Sequence, residues 1–144
     1  MKLSRRRTAT NAALASVTAL AALGATFATA APASAASAGG YDDLCGPGYK
    51  VVATTAVGRV GRIYVTWNEA ESKSCAVTIR NTAGPRIHIG IELNVLAGHE
   101  TTPVADADDY FTYAGPVYYD SRGYCVQWYG EVGDVEASGT GVCT

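Results

Sequence analysis

The chain has 144 residues, 48% of them hydrophobic and 17% charged, with 13 acidic against 11 basic side chains. Four of the bases (Lys2, Arg5, Arg6 and Arg7) open the chain, so the rest holds seven bases against thirteen acids, a net charge of about −6. No basic patch survives in that part, which excludes nucleic acid and anionic membrane surfaces as partners and leaves a length suited to one domain.

The first element in chain order is an export leader. A basic start is followed by an Ala/Leu/Thr/Val run from Ala13 to Ala30 and by Ala31-Pro32-Ala33-Ser34-Ala35-Ala36-Ser37-Ala38. These are the n-region, h-region and small-residue cleavage zone of a secretion signal. Cleavage after Ala38 makes residues 1–38 a removed signal and residues 39–144 a single β domain. Ala35 is the alternative cleavage point. Arg5-Arg6 lacks the hydrophobic pair of a twin-arginine signal, so general secretion is the reading. No second apolar stretch of about 18 residues follows, so no membrane span is expected after cleavage.

Beyond the leader the chain reads as strands and turns. Tyr49–Thr55 is β-branched and closes at Gly58. Arg62–Asn68 alternates, with Ile63, Val65 and Trp67 on one face, and Gly58-Arg59-Val60-Gly61 makes the hairpin between them. Cys75–Arg80 alternates again and ends at Asn81–Pro85. The clearest strand is Ile87–Val95, where Ile87, Ile89, Ile91, Leu93 and Val95 share one face. A turn over Ala97–Glu100 is expected, then an acidic loop to Asp109. A strand over Tyr110–Ala114, a Gly115-Pro116 break and Val117–Tyr119 follow. Asp120–Gly123 then turns into Cys125–Tyr129, and a Gly-rich strand runs from Val135 to Cys143. Some six or seven short strands, with turns about every eight to twelve residues, predict an all-β fold: a small antiparallel β-sandwich or barrel.

Cys45, Cys75, Cys125 and Cys143 are disulfide candidates in an exported chain rather than metal ligands or nucleophiles. Four cysteines allow three connectivities. The sequential pairing, Cys45–Cys75 with Cys125–Cys143, closes the shortest loops; a nested pairing is the alternative. The sequential pairing would tie the N-terminal segment to the third strand and the last strand to its neighbour.

Chemistry-bearing motifs are sparse. There is no phosphate-cradling glycine loop and no G-x-S-x-G elbow. His88 and His99 are the two histidines, and nothing in their spacing pairs them with Ser72, Ser74, Ser121 or Ser138. Asp106-Ala107-Asp108-Asp109 lacks the spacing of a calcium loop, and Glu92, Glu100 and Glu131 make a glycosidase pair only if distance allows. The expectation is a non-enzymatic protein with no metal and no cofactor. Aromatics say more: nine tyrosines and two tryptophans follow the leader, and six of the tyrosines, Phe111 and Trp128 crowd the last third. Tyr-rich surfaces serve as rigid contact patches, and Trp67, Tyr113, Tyr118, Tyr119 and Trp128 are the candidate binding residues.

An ordered series runs through the chain: Cys45-Gly46-Pro47-Gly48-Tyr49-Lys50-Val51, Ile63-Tyr64-Val65-Thr66-Trp67-Asn68, Cys75-Ala76-Val77-Thr78-Ile79-Arg80, Phe111-Thr112-Tyr113-Ala114-Gly115-Pro116-Val117 and Cys125-Val126-Gln127-Trp128. It resembles the spore-associated protein A family of spore-forming mycelial bacteria, with Trp67 standing where a tyrosine is usual. The resemblance implies a small secreted protein found with spores or aerial growth, and it carries no catalytic residue over. Partners would be spore or cell-wall surface components, or a secreted protein. A local resemblance links Tyr64-Val65-Thr66-Trp67 and Cys75-Ala76-Val77-Thr78 to the first hairpin of two-disulfide α-amylase inhibitors. Those inhibitors carry Trp-Arg-Tyr where this chain has Trp67-Asn68-Glu69. The departure removes the Arg and Tyr with which those inhibitors engage their enzyme. A secreted hydrolase inhibitor or binding module acting through Glu69–Ser74 is the alternative function, and a small hydrolase built on His88 or His99 with a carboxylate is a third.

Overall fold

The structure is a computed structural model and describes residues 40–144. The expected leader over residues 1–38 lies outside the described residues. Eight strands follow one another: β1 (Lys50–Val57), β2 (Gly61–Asn68), β3 (Lys73–Arg80), β4 (Ile87–Leu96), β5 (Val104–Tyr110), β6 (Tyr113–Asp120), β7 (Cys125–Val132) and β8 (Val135–Cys143). They form two antiparallel four-stranded sheets, ordered β1-β2-β3-β6 and β5-β4-β7-β8. Of the all-β sandwich or barrel expected from the turn spacing, the fold is the two-sheet form, with no helix among the described residues.

Period-two alternation builds the core. Ile89, Ile91, Leu93 and Val95 of β4 are buried, and they meet Ile63 and Val65 of β2, Ala76 of β3 and Val126 and Trp128 of β7. Each fully buried Ile or Leu side chain contributes roughly 1.5–3 kcal/mol by leaving water. In β3 the run Ser74–Ile79 is buried on both faces. Its second face lies under the N-terminal segment, where Cys45, Tyr49, Cys75, Val77 and Ile79 form a smaller core against Tyr41, Leu44, Tyr64 and Tyr113. The β3 strand is thus covered twice. The outer face of the other sheet carries His88, Glu92, Tyr129, Glu131 and Glu136 and has no such cover.

The disulfides pair sequentially, Cys45–Cys75 and Cys125–Cys143. The first clamps the cover segment to β3. The second staples β8 to β7 at a bulge, where the two cysteines are direct cross-strand neighbours.

Three readings of the middle of the chain are corrected. The expected acidic loop contains strand β5, paired with β4 from Ile87↔Tyr110 to Leu93↔Val104. Its acids are tolerable because β5 is an edge strand, where charge discourages further pairing. Asp106 also has partners: it accepts from the Tyr110 hydroxyl at 2.6 Å and from the Gly115 N–H at 2.6 Å. The expected strand over Tyr110–Ala114 is instead a turn at Phe111–Thr112. Finally, Gly115-Pro116 does not break a strand. It is a cis peptide inside β6, opposite a register shift between Ala76 and Thr78. Proline fits there because β6 is the sheet edge and no partner needs its missing N–H. Gly115 takes φ +94, a backbone conformation that other residues rarely adopt.

Candidate functional site

The five aromatic candidates do not share a surface. Trp128 is a core residue, 7% exposed, with its indole N–H donated to Thr55 Oγ1 at 2.9 Å. Its ring lies so close to Gly139 that a Cβ there would stand 2.5 Å away. Trp67 and Tyr119 flank Ser74 in the register of β2, β3 and β6, on the inward side. The Trp67 indole N–H donates to Glu69 at 2.9 Å. Tyr113 and Tyr118 lie on the opposite face of the same sheet, with the N-terminal cover. Of the five, Tyr118 is the one that is 40% exposed beside a groove.

That groove is built from non-local pieces. Tyr118 sits directly across from Cys75, whose sulfur is bonded to Cys45. The Tyr118 hydroxyl donates to the Cys45 carbonyl at 3.1 Å, and its ring meets Tyr49 edge-on at 5.5 Å and 70°. Tyr49 in turn donates to Glu71 Oε2 at 2.8 Å, and Asn68 Nδ2 donates to Glu71 Oε1 at 3.4 Å. The carboxylate is therefore held from two sides. Lys73 and Pro47 complete a groove of about 320 Å³. Among the described residues no carboxylate forms an ion pair with Lys73.

Both tyrosines in the groove keep their protons. Burial pushes the Tyr49 phenol up, and the hydrogen bond to Glu71 pushes it the same way. Burial raises Tyr118, with the nearby Glu71 charge second. The groove thus offers a fixed aromatic surface, a fixed carboxylate and an ammonium without an ionic partner. Tyr118 was legible from aromatic crowding. Pro47, Tyr49, Glu71 and Lys73 were not, because the pairing of β3 with β6 and the folding-back of residues 41–49 are long-range events. The clue within the sequence was the Glu-x-Lys spacing in the hairpin that leads to Cys75.

The uncovered sheet face holds the other polar cluster. His88 Nε2 lies 3.1 Å from Glu131 Oε1, and Tyr129 donates to Glu136 at 2.7 Å and to Glu131 at 3.3 Å. Tyr129 is raised, chiefly by the bond to Glu136. His99 Nδ1 stands 3.1 Å from the Ala97 carbonyl. Among the described residues no hydroxyl is hydrogen-bonded to either imidazole, and no group of three His, Cys, Asp or Glu side chains has metal-holding geometry.

The chain is 44% identical over 98 residues to spore-associated protein A of Streptomyces coelicolor. The match covers 67% of this chain and 62% of that protein, so the chain spans a little under two thirds of the length of the curated relative it matches. No protein-family profile matches the chain, and no solved structure does.

Proposed function

The chain is a relative of the spore-associated protein A family, and on that footing we propose that it is an exported, non-enzymatic protein held at the spore or cell surface. The relationship is the observation that carries this reading. The disulfides support it, since such bonds persist where glutathione and thioredoxin do not reduce them. On the uncovered sheet face His88, Tyr129, Glu131 and Glu136 bond to one another rather than to a hydroxyl nucleophile.

The test is quantitative mass spectrometry of detergent-washed spores against supernatant from one culture, following peptides of residues 39–144. Enrichment on spores is expected. Recovery mainly from the medium overturns the surface reading.

One observation favours a second reading, a secreted inhibitor or binding module. The β2–β3 turn is exposed yet rigid: Asn68 Oδ1 accepts from the Ala70 and Glu71 N–H groups, and Arg122 donates to the Glu69 carbonyl at 2.9 Å. This reading requires inhibition of a secreted hydrolase that is lost when Glu69 and Ala70 are replaced.

A further inference from the structure

From the groove beside the Cys45–Cys75 disulfide we infer a binding site for a neutral pyranose ring, the unit of a wall or coat glycan. The glycan source rests on the surface reading above; the chemistry of the groove does not.

Tyr118 is the platform. It is 40% exposed, yet its hydroxyl is tied to Cys45 and its ring packs against Tyr49 at 70°. Its strand neighbour is the disulfide cysteine itself. An aromatic ring immobilised in this way loses little freedom when a flat apolar sugar face stacks on it.

The walls select the charge of the ligand. Glu71, held by Tyr49 and Asn68, accepts hydrogen bonds and repels anions. Lys73 donates hydrogen bonds and repels cations, so with Glu71 beside it the groove carries no net charge to favour a cationic or an anionic ligand. An apolar peptide side chain would leave both charges desolvated without partners. A ligand that is neutral, rich in hydroxyls and apolar on one face satisfies all three groups. Its hydroxyl hydrogens go to Glu71, its oxygens take a hydrogen from Lys73, and its C–H face lies on Tyr118. The volume of about 320 Å³ admits one or two sugar rings, near the lower end of small-molecule sites, about 300–1,000 Å³. The groove is open to solvent.

The test titrates the full chain, expressed with its leader and purified from a secreting host. The probes are chitotetraose, cellotetraose and maltotetraose, followed by calorimetry and by NMR shifts of the tyrosine rings. At least one probe should bind saturably at millimolar or lower concentration. Tyr118→Ala should weaken binding about tenfold, and Tyr118→Phe should stay within about threefold because it keeps the ring. Glu71→Gln and Lys73→Ala should each cost about threefold or more. Phe111→Ala changes a ring that is 60% exposed elsewhere and should change nothing. Disulfide mapping and thermal melting of each variant separate loss of binding from loss of fold. Failure of all three probes overturns the inference, as does binding that survives Tyr118→Ala in a folded protein. Enrichment on spores without oligosaccharide binding overturns the groove alone. Oligosaccharide binding without enrichment overturns the location alone.

Discussion

Thr78 Oγ1 is enclosed, and among the described residues it has no hydrogen-bond partner. A buried hydroxyl in that state costs stability, so Thr78→Val should stabilise the protein by about 1 kcal/mol in urea unfolding. Directly opposite, Gly130 is packed so tightly that an added Cβ would lie within 2.8 Å of Ile63 and closer still to Thr78. Those neighbours have nowhere to go, and Gly130→Ala should cost about 2–3 kcal/mol in the same assay. Tyr110 gives a pH signature. Its hydroxyl donates to Asp106, and that bond, more than burial, pushes its pKa up to about 12. A raised folded-state value favours the protonated phenol, so the stabilisation is complete below pH 10 and is lost as pH climbs through about 12. Phenolate absorbance should show one tyrosine titrating lower in Asp106→Asn. No change in the titration would mean that Asp106 does not hold this proton.

Each disulfide closes a local unit. The Cys45–Cys75 loop spans a separation of 30 residues and the Cys125–Cys143 loop 18. In the chain-entropy account these correspond to about 3.5 and about 3 kcal/mol. Replacing both cysteines of one pair by alanine tests this in urea. The Cys45/Cys75 variant should be the less stable of the two, because it also frees the cover over Tyr64, Val77, Ile79 and Tyr113. It alone should bind a hydrophobic dye. Equal dye binding by both variants would show that the cover holds without its clamp. The sequence alternation of β4 made that strand plain, and the shortest-loop argument found the right cysteine partners. The same logic missed β5: Asp106, Asp108 and Asp109 look like a solvated loop until β4 supplies a ladder and Tyr110 and Gly115 supply donors.

Charge is divided between the two sheets. The strands β4, β5, β7 and β8 carry Glu92, Asp106, Asp108, Asp109, Glu131 and Glu136 and no Lys or Arg, whereas β1, β2 and β3 hold Lys50, Arg62, Lys73 and Arg80. Covering is divided as well, since β3 of the first sheet is buried on both faces and the outer face of the other sheet has no cover. Amide hydrogen exchange should follow that order. The slowest amides should be those of β3, paired on both edges and closed on both faces; β4 and β7 should come next, and the edge strand β5 should exchange fastest. Exchange in β3 as fast as in β5 would contradict the double covering.

The sequence by itself determined the all-β class, the face of β4 that turns inward, the hairpin at Gly58–Gly61 and the order of the cysteines around their loops. Each of these is written in neighbouring residues, where a two-residue period or a loop-closure length acts over short range. Tertiary structure decided the rest. It enclosed Trp128, carried β6 through Gly115-Pro116 along a free edge, and set Tyr118 across from Cys75. It also folded residues 41–49 over that pair. These outcomes depend on which distant strands pair, and the gain that selects them is apolar area buried between segments far apart in the chain. No local pattern of residues records that area.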